Sequence, residues 1–208
     1  MRSVTHPPGT TAEILSEATL VLAPHPDDEV LGCGGLLARL AAAGTSVRVV
    51  FLSDGSGGEE AVADRAAYAV ARRAETREAA SRLGVAEIEH LDLPDGRLDQ
   101  CLPELVEALR RLLSLRPPDL LLVPSPVERS ADHRAAFAAL HRLLAPLRDG
   151  DPLLASLRPL RILAYEVNGP LVPDLLFDVG GEIEAITRAM DAYATQEARH
   201  PYLDAALG

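Results

Sequence analysis

Tryptophan is absent from this 208-residue chain, and aromatic residues make up only 3% of it. Proteins that bind single-stranded nucleic acid stack the bases on aromatic side chains, and few such side chains are available here. Basic residues are also scarce relative to acidic ones, 20 against 31, which gives a formal net charge of −11. Because a basic surface is needed to displace counterions from phosphate backbones, the sequence predicts no nucleic-acid partner.

Cysteine is limited to Cys33 and Cys101, whose separation matches no zinc or redox spacing. This pattern is typical of reduced thiols in an intracellular protein. No apolar run approaches the roughly 20 residues that a membrane-spanning helix needs. Residues 1–11 lack the apolar stretch of a secretory signal. We therefore expect a cytoplasmic protein with a small-molecule ligand and no membrane span. The apolar C-terminal half also permits a homo-oligomer.

Apolar runs that indicate buried strands alternate with segments of helical periodicity. The predicted strands are residues 19–24, 46–53, 87–93, 120–124, 161–167 and 175–179, and the predicted helices are residues 31–43, 60–83, 102–115, 132–147 and 180–195. Such alternation predicts an α/β fold, a Rossmann-like three-layer α/β/α arrangement with a mostly parallel sheet. No connection resembles a domain linker, so we expect a single domain over residues 1–208.

Polar residues follow the predicted strands. His25-Pro26-Asp27-Asp28-Glu29 follows the first strand, and Asp54, Asp95 and Asp132-His133 follow the next three. In open parallel sheets the ligand crevice lies beyond the carboxyl ends of the strands. These side chains are therefore expected to gather at one edge of the sheet.

The histidines and carboxylates of these clusters predict a divalent-metal site. His25 and Asp28 lie in a turn stiffened by Pro26 and can converge on one ion, with His133 as the natural third ligand. Two imidazoles and a carboxylate with an open position are typical of catalytic Zn²⁺, and the same set suits Fe²⁺. Such an ion lowers the pKa of bound water from ~15.7 towards ~7. Asp27 is then the candidate general base, and the other four histidines are predicted not to bind metal.

A nucleotide-binding alternative is based on the glycines that follow the first strand. Gly32, Gly34, Gly35 and the later Asp54 partly imitate a dinucleotide fingerprint. That fingerprint needs its first glycine directly after the strand, so that a helix N-terminus can hold pyrophosphate. Here three acidic residues occupy that place and repel phosphate. The glycines are better explained by close packing of the first helix on the sheet.

With these residues, the chain resembles the LmbE-like, or PIG-L-type, zinc-dependent N-acetylglucosaminyl deacetylases. Residues 23–29, Ala-Pro-His-Pro-Asp-Asp-Glu, are similar to the first family signature, and residues 131–134, Ala-Asp-His-Arg, are similar to the second. The resemblance extends from the first strand to about Gln196. It implies that His25, Asp28 and His133 bind zinc, that Asp27 is the general base, and that an acetamide on an amino sugar is hydrolysed.

The resemblance also implies roles for residues around the metal. Arg72 matches an arginine that contacts substrate in relatives, and Asp54 and Asp95 are further candidates for substrate binding. Asp132 matches a carboxylate that helps to set the charge of the site and is a candidate catalytic residue.

One position departs from the family pattern. Many relatives carry a histidine three positions before the metal histidine, where it stabilises the oxyanion, and this chain has Ser130 there. Loss of one oxyanion donor can cost ~10² to 10³ in rate. Ser130 is therefore a weaker candidate for the same catalytic role, and Arg129 is a possible replacement. The alternative function is a metal-containing sugar-binding protein with weak or lost catalysis.

Overall fold

The computed structural model describes residues 16–57, 64–157, 160–169 and 172–197. Five strands form one sheet: β1 Ala18–Ala23, β2 Ser46–Ser53, β3 Glu87–Leu93, β4 Leu120–Pro124 and β5 Arg161–Tyr165. Their order is β3-β2-β1-β4-β5, and every neighbouring pair is parallel. After β1 the chain adds β2 and β3 on one side, and it then returns to the other side of β1 to add β4 and β5. The topological switch point between β1 and β4 places a crevice at the carboxyl ends of these two strands.

Helices cover both faces of the sheet. They are α1 Asp28–Ala42, α2 Arg65–Leu83, α3 Leu102–Leu115, α4 Ala131–Leu144, α5 Pro152–Ser156, α6 Ile183–Met190 and α7 Ala194–Glu197, with 3-10 turns at Leu98–Cys101 and Gly180–Glu182. The expected three-layer α/β/α fold is confirmed, and within the described ranges the sheet is entirely parallel.

The strands alternate their buried side chains between two hydrophobic clusters. In β1, Val21 belongs to the cluster that contains residues of α1, α2 and α6. Its neighbours Leu20 and Leu22 belong to the cluster that contains residues of α3, α4 and α5. Successive side chains of a strand point to opposite faces. The central strands are therefore apolar on both sides, which explains their continuous hydrophobic runs.

The predicted sixth strand, residues 175–179, is wrong. These residues form no strand, and within the described chain the sheet ends at β5. Their alternate apolar residues, Leu175, Phe177 and Val179, pack instead against the cluster under α1 and α6. The guanidinium of Arg39 in α1 donates a hydrogen bond to the carbonyl of Asp178 and ties down the same segment. The period-2 pattern thus reflects packing on a helix.

Several helix boundaries also differ from the prediction. The first helix begins at Asp28. The second begins at Arg65, where the side chain of Asp64 accepts a hydrogen bond from the backbone N–H of Ala67 at 2.9 Å. Residues 60–63 of that prediction lie outside the described residues. The predicted helix 180–195 is broken after Met190 by a turn.

Among the residues that the structure describes, no helix combines the length and apolarity required to cross a bilayer.

Candidate metal centre and active site

The clusters that follow β1, β3 and β4 meet at the carboxyl edge of the sheet. His25 follows β1, Asp95 follows β3, and Asp132 and His133 lie in the first turn of α4 after β4. The ring of His25 lies within hydrogen-bonding or ion-pair distance of all three of these residues. The sheet thus brings together residues that are more than 100 positions apart in sequence.

Three donor atoms of the predicted metal ligands form a nearly equilateral triangle. Asp28 Oδ2 lies 3.2 Å from His25 Nδ1 and 3.1 Å from His133 Nε2, and the two ring nitrogens are 3.3 Å apart. Ligands about 2.1 Å from a tetrahedral zinc ion are roughly 3.4 Å from one another. The spacing therefore fits a single ion of that size, with His25, Asp28 and His133 as its ligands.

The second nitrogen of His25 is held by carboxylates. Its Nε2 lies 3.1 Å from Asp132 Oδ2 and 3.3 Å from Asp95 Oδ1. The carboxylate of Asp132 is itself fixed, because it accepts hydrogen bonds from the backbone N–H groups of Gly96 and Leu98 at 2.7 and 3.0 Å. A carboxylate behind an imidazole selects the tautomer that leaves the other nitrogen free for a metal. Asp132 thus lies where it can hold the ring of His25 in one orientation.

Glu128 contacts His133 in the same way, although no role is predicted for it from the sequence. Its Oε2 lies 3.3 Å from His133 Nδ1. The buried carboxylate also accepts hydrogen bonds from the backbone N–H groups of Val167 and Asn168 at 2.6 and 3.0 Å. The only sequence signal was an acidic residue five positions before a candidate ligand, which is too common to predict such a contact.

The electrostatics of the cluster favour a cation. Burial alone would lower the pKa of His25, but hydrogen bonds with Asp132, Asp28 and Asp95 outweigh burial and raise that pKa well above its ordinary value. Burial opposes ionisation of Asp28, yet the two imidazoles hold the pKa of this carboxyl well below its usual range. The negative charge that attracts protons to these rings also favours a divalent ion.

Asp27 has an unusual backbone conformation and a perturbed carboxyl group. It precedes α1 with φ of 110° and ψ of −26°, in a region that non-glycine residues rarely occupy. Burial raises the pKa of Asp27 to about 7, with opposing effects from Arg72, which lowers it, and Asp28, which raises it. A carboxyl group that titrates near neutral pH is suited to general acid–base chemistry.

Arg72, on α2, is buried beside Asp27. Its Nη2 donates hydrogen bonds to Asp27 Oδ2 at 3.2 Å and to the carbonyl of Pro26. Its Nη1 donates to Glu75 Oε2 at 3.1 Å. Arg72 Nε has no hydrogen-bond partner among the described residues. The arginine therefore fixes the carboxylate of Asp27 and has one donor left.

A pocket with a cavity volume of about 190 Å³ opens over these groups. Its lining includes the predicted ligands His25 and Asp28, together with Asp27, Arg72 and Asp95. The remaining wall contains two apolar residues and three polar or small ones, namely Leu31, Val167, Gly55, Asn168 and Gln196. The pocket thus combines two members of the triangle, His25 and Asp28, with an acid–base group and uncharged hydrogen-bonding side chains.

Four predicted site residues are absent from the lining of this pocket: Asp132 and His133, which contact His25, and also Ser130 and Asp54. Ser130 is the N-cap of α4, where its Oγ accepts a hydrogen bond from the backbone N–H of His133 at 3.5 Å. Asp54 Oδ1 accepts a hydrogen bond from the backbone N–H of Ser56 at 2.9 Å and so shapes its own turn. Arg129, considered as a replacement for the oxyanion histidine, is exposed and absent from the pocket lining.

The packing role predicted for the glycines of the nucleotide alternative is found for two of the three, and only Gly32 faces the sheet. A Cβ on Gly32 would lie 2.2 Å from Cδ2 of Tyr165, and one on Gly35 would lie 2.5 Å from Cγ1 of Val179. Both glycines therefore allow α1 to pack closely on its neighbours.

The remaining histidines lie away from the triangle or outside the described residues. His90 stacks on Phe51 and contacts Thr76 Oγ1, and His141 is exposed on α4. His6 and His200 lie outside the described residues.

Comparison with solved structures identifies close relatives of this fold. The complex of N,N'-diacetylchitobiose deacetylase from Pyrococcus horikoshii with its inhibitor has a TM-score of 0.75 and 26% identity, covering 87% of this chain and 71% of that one. A conserved protein of Thermus thermophilus has a TM-score of 0.73 and 32% identity, covering 90% and 84% of the two chains.

Sequence comparison leads to the same group. The diacetylchitobiose deacetylase of Thermococcus kodakarensis is 29% identical, in an alignment that covers 88% of this chain and 74% of that protein. The PIG-L family, described as GlcNAc-PI de-N-acetylase, matches residues 20–144 and so includes both the His25 and the His133 clusters. Since this match spans more than half of the sequence, the chain belongs to the PIG-L family.

Proposed function

We propose that this chain is a divalent-metal-dependent hydrolase that removes an N-acetyl or other N-acyl group from an amino sugar or an amino-sugar-containing small molecule. The observation that carries the proposal is the triangle of His25, Asp28 and His133 donor atoms, which borders a pocket that also contains Asp27. The deacetylase activity named for the Pyrococcus and Thermococcus relatives supports the same reaction class.

The donor set supports zinc as the metal, with ferrous iron as the alternative. Two imidazoles and one carboxylate leave positions open for water and substrate, as catalytic sites of both ions do. When bound, such an ion supplies Lewis acidity and lowers the pKa of water at the site from ~15.7 towards ~7. Asp132 and Glu128 hold the two imidazoles in the orientation that binding requires.

The chemistry assigned to the protein's own groups centres on Asp27. Its carboxylate accepts a proton from the attacking water and delivers it to the amide nitrogen as the carbon–nitrogen bond breaks, so that a carboxylate and a free amine are released. A pKa near 7 allows both halves of this transfer at neutral pH. The hydrogen bond from Arg72 keeps the carboxylate directed at the pocket.

The uncharged part of the pocket supports an amino sugar as the substrate. Asn168 and Gln196 offer amide groups that can hydrogen-bond to sugar hydroxyls. Asp95 also lines the pocket, but its two oxygens contact His25 Nε2 and the N–H of Gly57, so it is a weaker candidate for substrate binding. Leu31 and Val167 supply apolar surface for the acyl methyl group or the ring face. We do not assign this role to Asp54, because it is absent from the pocket lining and its Oδ1 accepts the N–H of Ser56.

A metal-containing sugar-binding protein with weak or lost catalysis is the second candidate function. Ser130 supports it, because its hydroxyl is directed at the backbone of α4 rather than the pocket. The family histidine that stabilises the oxyanion therefore has no side-chain equivalent at this position.

The test is acetate release from a panel of N-acetylated amino sugars, including N-acetylglucosamine and N,N'-diacetylchitobiose, by protein reconstituted with Zn²⁺ or Fe²⁺. We expect turnover by the wild type and a loss of about 10² to 10⁴ in kcat for Asp27→Asn, with metal content retained. Asparagine also tolerates positive φ, so the backbone of the variant should be preserved.

Asp92→Asn is the matched control. Asp92 is the other non-glycine residue with positive φ in the described ranges, at 56°, and it pairs with Arg73 on the outside of the sheet. Its variant should keep wild-type turnover. A metal-loaded wild type that leaves the whole panel intact would contradict the hydrolase proposal and favour the binding protein.

A further inference from the structure

We propose that the segment formed by residues 193–196 is a positioning brace for Asp27, which it holds through two separate hydrogen-bond chains. This inference rests on the proposed function, in which Asp27 transfers the proton. It assigns Tyr193, Glu29, Glu75 and Thr195 as positioning residues for the reaction.

The first chain holds the backbone of Asp27. The hydroxyl of Tyr193, which is fully buried, donates a hydrogen bond to Glu29 Oε1. The other oxygen of the same carboxylate, Oε2, accepts a hydrogen bond from the backbone N–H of Asp27 at 3.1 Å. One buried carboxylate therefore connects residue 193 to the peptide group whose conformation is unusual.

The second chain holds the side chain of Asp27. The backbone N–H and the hydroxyl of Thr195 donate to the two oxygens of Glu75, each at 2.8 Å. Glu75 accepts a hydrogen bond from Arg72, and Arg72 donates to Asp27 Oδ2 at 3.2 Å and to the carbonyl of Pro26. The second chain thus ends on the carboxylate, whereas the first ends on the amide.

The two chains also contact each other. The guanidinium carbon of Arg72 lies 5.3 Å from the centroid of the Tyr193 ring, within the range of a cation–π interaction. Gln196, the next residue of the segment, lines the pocket and donates a hydrogen bond to the hydroxyl of Tyr68. The segment is consequently fixed to α1 and α2 around Asp27.

Asp27 needs such support because its conformation is strained. A non-glycine residue at φ of 110° persists only where its surroundings over-determine it. The Glu29 side chain in the first turn of α1 accepts the N–H of this peptide, and Tyr193 holds the same carboxylate from outside α1. Displacement of a catalytic group by about 1 Å can cost roughly 10²-fold in rate.

The decisive variant is Tyr193→Phe, which removes one hydroxyl and keeps the ring. We expect kcat to fall about 10- to 100-fold, with KM within about twofold and metal content unchanged, because the brace acts on the chemical step. The matched control is Tyr165→Phe, since Tyr165 is a buried tyrosine of the same core whose hydroxyl donates to the carbonyl of Leu22 at 2.7 Å. The control should retain wild-type kcat.

Glu29 provides the rescue test. Glu29→Gln keeps an oxygen that accepts the Asp27 N–H, and its amide can donate to the Tyr193 oxygen, so we expect kcat close to the wild-type value. Glu29→Leu keeps neither interaction and should match or exceed the loss in Tyr193→Phe. Adding Tyr193→Phe to Glu29→Leu should cause little further loss, because the two residues act in one chain.

On the second chain, Thr195→Val should lower kcat by a smaller factor than Tyr193→Phe, because Thr195 retains its backbone bond to Glu75. Thr187→Val is its control, since the hydroxyl of Thr187 donates to a carbonyl on the exposed face of α6.

If the wild type hydrolyses substrate and Tyr193→Phe has the same kcat as Tyr165→Phe, the brace is wrong and the proposed function is unaffected. A wild type with no turnover would overturn the proposed function instead. Crystal structures of Glu29→Leu and Tyr193→Phe then test the brace without an activity assay. If the brace exists, Asp27 leaves the positive-φ region in these variants, or its carboxylate separates from Arg72. An unchanged Asp27 in both variants would refute the brace.

Discussion

Glu128 binds no substrate in the proposed function, yet it contacts His133, one of the proposed metal ligands. Its carboxylate lies against His133 Nδ1 and is held in place by the N–H groups of Val167 and Asn168. Removing a residue behind a metal-binding histidine typically lowers metal affinity by about 10- to 100-fold. We expect a loss of that size for Glu128→Leu, measured by competition for Zn²⁺ with a chromophoric chelator.

Two further variants separate the orienting effect of Glu128 on His133 from the effect of its negative charge. Glu128→Gln keeps a carbonyl that can accept from the imidazole, so it should lose less affinity than Glu128→Leu. Glu104→Leu removes an exposed carboxylate from α3 and should leave affinity unchanged. If Glu128→Leu bound zinc as tightly as Glu104→Leu, the orienting role of Glu128 would be wrong.

At the scale of the helix, α1 depends on glycines that helix propensity disfavours. Gly32→Ala gains about 0.8 to 1 kcal/mol of intrinsic helix propensity. However, the new Cβ would lie 2.2 Å from the ring of Tyr165, and overpacking of this kind costs about 1 to 3 kcal/mol. We expect net destabilisation in urea unfolding. Gly34→Ala, whose Cβ would meet Val30 Cγ1 at 3.3 Å, should be affected less, and equal stability of both variants would argue against the close approach.

The start of α4 provides a test of Ser130. As an N-cap with a hydrogen bond of 3.5 Å, it should contribute about 0.5 to 1 kcal/mol of stability, so Ser130→Ala should unfold at a slightly lower urea concentration. Asp64→Ala, which removes the 2.9 Å cap bond of α2, should cost at least as much. Since Ser130 does not line the pocket, kcat should change less than threefold. A loss of 10²-fold would restore Ser130 as a catalytic residue.

The elements that could be predicted from sequence are those whose pattern is local. Strands β2, β3 and β4 and helix α3 coincide with the predicted ranges, because their apolar periodicity and their Gly or Pro boundaries are contained in the element itself. Residues 175–179 have the alternating pattern of a strand but pack on α1. A five-residue pattern does not determine whether its apolar side chains pack in a sheet or against a helix.

At the scale of the whole molecule, the site also contains residues that local sequence patterns predict and residues that only long-range packing brings together. His25, Asp27, Asp28 and His133 lie in two short motifs and were predictable, since strand ends in a parallel sheet share an edge. Glu75 and Tyr193 were not predicted as parts of the site, and neither was the contact between Tyr193 and Glu29. Their contacts join positions separated by 120 or 164 residues, and only the packing of α2 and residues 193–196 against the β1 end creates them.

Because the proposed metal ligands come from both sides of the topological switch point, metal binding should stabilise the entire fold. The unfolded chain cannot hold His25 and His133, which are 108 residues apart, at 3.3 Å. At free Zn²⁺ 100-fold above its Kd, binding to the folded state alone adds about 2.7 kcal/mol to the free energy of unfolding. For a chain of this size, that corresponds to a rise in Tm of roughly 5 to 10 °C over chelator-treated protein. His133→Ala should lose the shift, whereas His141→Ala, an exposed histidine on the same helix, should keep it. An equal zinc-dependent shift in both variants would place the bound ion elsewhere and remove the basis of the proposed site.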